Sequence, residues 1–223
     1  QPRIIPRDLD MPVAFGELAD EAFAVGELRT LPREYLAWIG AEERRLTQAV
    51  RAGLSPEDAD RESHRLQQDI AAQRREAEFI ERGIALLEES QRAAVELAAI
   101  RTGDASHLLQ RAAPYWAWLH MNRSFHERDG QDAGRGWRLF QLAFVLSHIP
   151  TLASRLDAYR AYQNHEFDEL SASLLYFPTG GGKSEAFYGV LLFAMFLDRL
   201  RGKERGITAM IRYPLRLLTL QQA

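Results

Sequence analysis

Pro178-Thr179-Gly180-Gly181-Gly182-Lys183-Ser184 brings together the groups needed to hold a polyphosphate. Glycines, lacking Cβ, let successive backbone N–H groups turn to one side and bind anionic oxygens. A helix that begins behind such a turn adds the partial positive charge of its first turn. Lys183 reaches the outer phosphates as a compact point charge, and the Ser184 hydroxyl is placed for Mg2+. The expected phosphate-binding set is Pro178, Thr179, Gly180, Gly181, Gly182, Lys183, Ser184 and Glu185, with Lys183 and Ser184 the two that also serve catalysis. Of 28 basic residues only Lys183 and Lys203 are lysines, so this position takes an ammonium in a chain that otherwise uses arginine. The alternative is a glycine-rich strand-to-helix turn that binds nothing.

The elements around the loop must put its N–H groups at a helix start. Ahead of it, Ser173-Leu174-Leu175-Tyr176-Phe177 is a short apolar run that predicts a strand over 173–177. Behind it, the pattern predicts a helix over 184–201 ended by Gly202, a strand over 207–213 and a helix over 215–222. The helix after the loop is apolar on nearly every face, as expected of one buried between layers. Such a β-α-β-α order implies a parallel sheet with right-handed crossovers. The predicted fold class is thus α/β, with a helical module in front.

That module occupies residues 1–130. Residues 1–12 hold three prolines and read as an extended arm. Thr30 and Pro32 open a helix that runs to about Ala52, where Gly53 stops it. Ser55-Pro56-Glu57-Asp58 opens another with a capping serine, a proline at the first helical position and acids against the dipole. This second helix is expected to reach Thr102. Leu66, Ile70, Gln73, Ala77, Ile80, Ile84, Leu87, Gln91, Ala94 and Ala98 hold an unbroken heptad register along it. Gly83 is its one weak point, costing roughly 1 kcal/mol in a helix interior. The two helices form a hairpin, packed within the chain or offered to a partner. Over 106–128, Tyr115, Trp116, Trp118 and Phe125 alternate with Arg111, His120 and Arg123. At helical spacing they predict a core; stacking on nucleic-acid bases is the alternative. Gly130 to Gly136 reads as a linker, followed by an apolar helix over 137–148, Pro150 as a break, and a more polar helix over 152–164.

The 223 residues are 46% apolar and 26% charged, and no stretch reaches the about 18 uncharged apolar residues of a membrane span. The absence of cysteine excludes a disulfide framework and any thiolate metal site, and the six histidines show no ligand spacing. The net charge of −3 is uneven. From Pro178 onward seven Lys/Arg face three Asp/Glu, or +4, which leaves −7 for the preceding part. A basic end on the loop-bearing segment suits phosphate-rich ligands. A start at Gln1 rather than Met is what a piece of a longer chain would show.

Pro214-Leu215-Arg216-Leu217-Leu218-Thr219-Leu220-Gln221 resembles the Pro-Thr-Arg-x-Leu-x-x-Gln motif of superfamily 2 helicases, with Leu215 in place of threonine. Trp137-Arg138-Leu139-Phe140-Gln141 is similar to the Leu-Arg-Pro-Tyr-Gln element of the same enzymes, without its proline. Phe177 stands where the strict phosphate-loop pattern has a small residue. Within the superfamily the likeness over about residues 137–223 is to the helicase subunits of the DISARM phage-defence system. The resemblance implies a RecA-like ATP-binding lobe beginning near residue 131, ATP and Mg2+ as cofactors, and adenine recognition by Gln141. It further implies nucleic-acid contacts from Pro214, Arg216 and Gln221, DNA as partner, and a protein partner subunit with a methyltransferase module, in the bacterial cytoplasm. Phe167-Asp168-Glu169-Leu170 has the letters of the family's acidic pair, but it precedes the loop and follows no apolar strand, so it is not assigned that role. Up to Ala223 the acidic pair and the second lobe are missing, and such a piece is expected to bind ATP without turning it over. Two other classes remain open: a phosphate-loop ATPase independent of nucleic acid, and an interaction scaffold with a degenerate loop.

Overall fold

The structure, a computed structural model, describes residues 9–53, 55–101, 105–176 and 181–212. Its helices are α1 (Phe15–Leu18), α2 (Thr30–Gly53), α3 (Pro56–Ala99), α4 (Ser106–Arg128), α5 (Leu139–Ala153), α6 (His165–Glu169) and α7 (Lys183–Leu200), with 3-10 turns at Val25–Arg29 and Asp157–Tyr162.

α3 begins as its sequence dictates. The Ser55 hydroxyl accepts the Asp58 N–H at 3.3 Å, and a proline occupies the first turn. Its 44 residues span about 66 Å at 1.5 Å each. The heptad stripe is buried at Leu66, Ile70, Ala77, Ile80, Ile84 and Leu87. Along the first half α2 runs antiparallel beside it, tied by Tyr35 to Glu76 at 2.7 Å and Arg74 to Glu43 at 2.6 Å. Along the second half its neighbours are α4 and α5, and the seam drifts onto Ala93 while Ala98 lies exposed. Gly83 is the crossing point rather than a weakness. A Cβ there would collide with the backbone carbonyl of Leu146, so its absence lets α5 lie directly on α3.

α4 contains Pro114, which has no N–H and disturbs the helical ladder. Ser90 of α3 repairs the gap. Its hydroxyl donates to the Arg111 carbonyl at 2.7 Å and accepts the Tyr115 N–H at 2.9 Å. Tyr159 also donates to the Arg111 carbonyl, at 2.6 Å. Burial pushes its phenol up to about 12, which keeps the proton that makes this bond. Tyr115, Trp118 and Phe125 are buried, so the aromatic stretch is core. The core cluster extends from Phe15 to Leu197, and α5 and α7 contribute to it with α3 and α4. At one end Phe15 and Phe125 stack, Trp137 meets both rings edge-on, and a short antiparallel bridge joins Ala14 to Gly136.

The α/β expectation is overturned: among the described residues every regular element is helical, and there is neither strand nor sheet. Residues 173–176 are irregular, with Leu174 and Tyr176 each 88% exposed, and 207–212 are irregular as well. A β-strand exists only as a member of a ladder, because its N–H and C=O groups find partners on a neighbouring strand. These two segments form no ladder with each other or with anything else described, so a β-prone composition has nothing to act on. For the same reason α7 is not buried between layers. Ala186, Gly189, Phe193 and Leu197 face α4 and α5, while Phe187, Tyr188 and Met195 are exposed. Pro150 does not end α5, which continues to Ala153, and the helix expected over 152–164 is reduced to the 3-10 turn at Asp157–Tyr162. Phe177, the rest of the 207–213 strand and the helix expected over 215–222 lie outside the described residues.

Candidate functional site

The loop enters α7 through Gly182, whose φ of 81° and ψ of 28° lie in the left-handed region that glycine adopts freely. A Cβ at this position would also stand 2.7 Å from the Gln141 amide nitrogen. A left-handed residue followed by right-handed Lys183 gives the alternation in which successive N–H groups form an anion-binding concavity. Eighteen residues of α7 stand behind it and contribute their dipole. Lys183 is half-buried, Ser184 exposed and Glu185 half-buried.

The first turn of α5 reaches across to this loop. Gln141 is only 4% exposed and uses both ends of its amide. Its Oε1 accepts the Arg138 N–H at 2.8 Å, capping α5, and its Nε2 donates to the Gly182 carbonyl at 2.7 Å. Arg138, itself exposed, donates through Nη1 to the Gly181 carbonyl at 2.7 Å. The neighbouring Trp137 fixes this turn in place. Its ring is buried, its Nε1 donates to Asn122 Oδ1 at 2.7 Å, and its backbone N–H bonds to the Val13 carbonyl at 2.9 Å. Asn122, fully buried, in turn donates to the Trp118 carbonyl at 3.0 Å.

The far end of α7 is built differently. Asp198 is buried and accepts from Arg201 Nε at 2.7 Å, Lys203 Nζ at 2.7 Å and Thr208 Oγ1 at 2.8 Å. Burial alone would raise its pKa, but these three donors outweigh it and hold the carboxyl down at about 2. Lys203 also donates to the Ile207 carbonyl at 2.9 Å, so this lysine ties down the chain leaving α7.

On the other side of α5 a cavity of about 670 Å3 is lined by α2, α3, α5 and residues of the 164–176 segment, with Phe79, Phe144, His148 and Phe167 in its wall. His148 bonds the Phe144 carbonyl at 2.7 Å and the Ser173 hydroxyl at 2.9 Å. Desolvation, against the opposing effect of the Phe144 carbonyl, lowers its pKa and so favours the neutral imidazole. Asp168 is a local cap, accepting the Asn164 N–H at 2.9 Å and the Thr151 hydroxyl at 2.6 Å.

Of the residues expected from the sequence, Gly181, Gly182, Lys183, Ser184, Glu185 and Gln141 are therefore brought to one place. Pro178, Thr179, Gly180, Pro214, Arg216 and Gln221 lie outside the described residues. Arg138 and Trp137 were not singled out as site residues. The legible signal was Arg138 three positions before Gln141, the spacing by which a glutamine caps its own helix start. Among the described residues no helix is long and apolar enough to cross a membrane.

Fold and site define a helical body that presents a glycine loop at a helix start, clasped by the first turn of a second helix. The chain is similar to the DISARM protein DrmA of Bacillus paralicheniformis, with 39% identity over 93 residues. The match covers 39% of this chain and 8% of the length of that protein, and it bears out the likeness to DISARM proteins read from the motifs. No protein-family model matches the chain. No solved structure matches it.

Proposed function

We propose that the chain is part of an ATP-dependent superfamily 2 DNA helicase or translocase of a phage-defence system, and that the junction of α5 and α7 holds the phosphates of ATP. The observation that carries this reading is the left-handed Gly182 at the start of α7, with Lys183 and Ser184 next in the chain. The donor set fits the ligand. Backbone N–H groups and an ammonium suit phosphate oxygens, and an exposed serine hydroxyl suits Mg2+. Bound Mg·ATP would supply the phosphoanhydride whose cleavage drives movement. Toward it Lys183 neutralises phosphate charge, and the N–H groups of Gly182 to Ser184 orient the chain of phosphates. Gln141 has one amide N–H and one oxygen lone pair beyond those already used, and these are the groups with which it would read adenine. Pro214, Arg216 and Gln221 would contact the DNA strand, and a protein subunit of the defence complex would complete the assembly.

Titration of the chain with Mg·ATP tests the phosphate site. Binding is expected, and Lys183→Ala should weaken it by roughly a hundredfold, about 3 kcal/mol, with the fold retained. Unimpaired binding by that variant would remove the phosphate assignment. For the motor activity the measurement is ATP hydrolysis by the whole protein with and without DNA, where failure of DNA to stimulate turnover would instead favour a nucleic-acid-independent ATPase.

A further inference from the structure

A peptide unit is planar, so a trans peptide whose carbonyl points one way has its N–H pointing the other way. The Gly181 carbonyl is bound by Arg138 Nη1 at 2.7 Å, and the Gly182 carbonyl by Gln141 Nε2 at 2.7 Å. Both peptide planes are therefore held with their oxygens toward the first turn of α5. The N–H groups of Gly182 and Lys183, which belong to those same planes, are turned to the opposite side. We propose that Arg138 and Gln141 are positioning residues that aim the loop's N–H groups at the phosphates. This rests on the phosphate reading given above and adds to it the reason the cradle faces outward. The plane between Gly181 and Gly182 flips easily, because neither residue has a Cβ to bias it, whereas the next plane is also held by the first turn of α7. Without Arg138 the Gly181 carbonyl oxygen would turn into the site part of the time and repel an anion.

The clasp is fixed to the helical body rather than to the loop. Trp137, one residue before Arg138, is buried edge-on against Phe15 and Phe125 and bonded to Asn122 of α4. Gln141 is held by the Arg138 N–H as well as by the loop. A side chain positioned by packing and a second hydrogen bond can impose its geometry on a flexible neighbour. Arg138 is the informative residue to change, because it is exposed and its removal takes nothing from the core. Gln141, at 4% exposure, would confound positioning with stability.

The experiment compares Arg138→Ala with the unaltered chain, using inorganic triphosphate and Mg·ATP as probes and the backbone amide order parameter of Gly182, whose N–H shares the plane of the Gly181 carbonyl, in the ligand-free chain. In the variant this order parameter should fall from the rigid range of about 0.85 toward the flexible range below about 0.6, with Lys183, whose plane Gln141 still holds, and α7 from Ala186 to Leu197 unchanged. Affinity for both probes should fall by the same factor, roughly three- to tenfold, with the same dependence on ionic strength as before. An unchanged Gly182 order parameter overturns the proposal. If affinity then falls and its ionic-strength dependence flattens, Arg138 is itself a phosphate ligand. Should the unaltered chain bind neither probe, the phosphate reading fails and takes this inference with it. If instead the unaltered chain binds both and Arg138→Ala binds them equally well, only the inference fails.

Discussion

The two lysines of the chain stand at the two ends of one helix. At the C-terminal end of α7, Lys203 joins Arg201 and Thr208 on the Asp198 carboxylate, and the groups point inward to stop the helix and hold the segment that leaves it. At the N-terminal end the side-chain donors come from another helix, and what they bind is the oxygen side of the loop, which leaves its N–H side turned outward. The same rare residue type thus sits in a closed charge knot at one end and beside an outward-facing set of backbone donors at the other. An unusual residue marks a position worth inspecting; its surroundings decide whether it is structure or site.

The comparison can be broken from either end. The largest effect on stability is expected at the closed one. Asp198→Asn removes the charge that three donors share, and unfolding free energy should fall by about 2 kcal/mol, measured by denaturant titration at neutral pH. The same carboxylate gives a pH signature. Its pKa is depressed from an unfolded value near 4 to about 2, so its stabilising contribution is complete above pH of about 4 and is lost as the pH falls through about 2. The Asp198→Asn variant should lack that component of acid destabilisation; an identical acid profile in both proteins would remove Asp198 from this role.

At the open end, Gly182→Ala places a Cβ against the Gln141 amide and forces alanine to a φ of 81°. A loss of about 1–2 kcal/mol in stability is expected, together with weaker triphosphate binding. Wild-type binding in that variant would show that the left-handed geometry at the start of α7 is dispensable. The smallest effect is predicted for Lys203→Met, about 1 kcal/mol or less, since Arg201 and Thr208 remain on Asp198. It should leave triphosphate affinity unchanged. A drop in affinity there would mean that the two ends of α7 are not independent.

Most of the helical body is legible in the residues. Ser55 and Pro56 fix where α3 starts, the heptad stripe from Leu66 to Leu87 marks its buried face, and the helices expected over 31–52 and 184–201 agree with α2 and α7 to within a residue or two. Caps and periodicity act over a few neighbouring positions and can be read without knowing the partner. The candidate site is legible in part, since the loop and Gln141 were identified and are found together. The clasp by Arg138 was not, because it depends on where α5 starts relative to α7, across forty-three positions of chain. The role of Gly83 is hidden in the sequence for the same reason: its value lies in what Leu146 would otherwise strike.

What the sequence determined by itself is therefore local: the capped start of α3, the apolar face of its first half, and the chemistry available at the Gly-Lys-Ser turn. Tertiary structure alone decided that Ser90 completes the ladder broken by Pro114, and that the oxygens of Gly181 and Gly182 face α5. It also decided that the described parts of 173–177 and 207–213 form no strand. The physical reason is common to all three. A helix satisfies its backbone within its own residues, whereas strands, glycine planes and interrupted ladders take their conformation from whatever lies beside them.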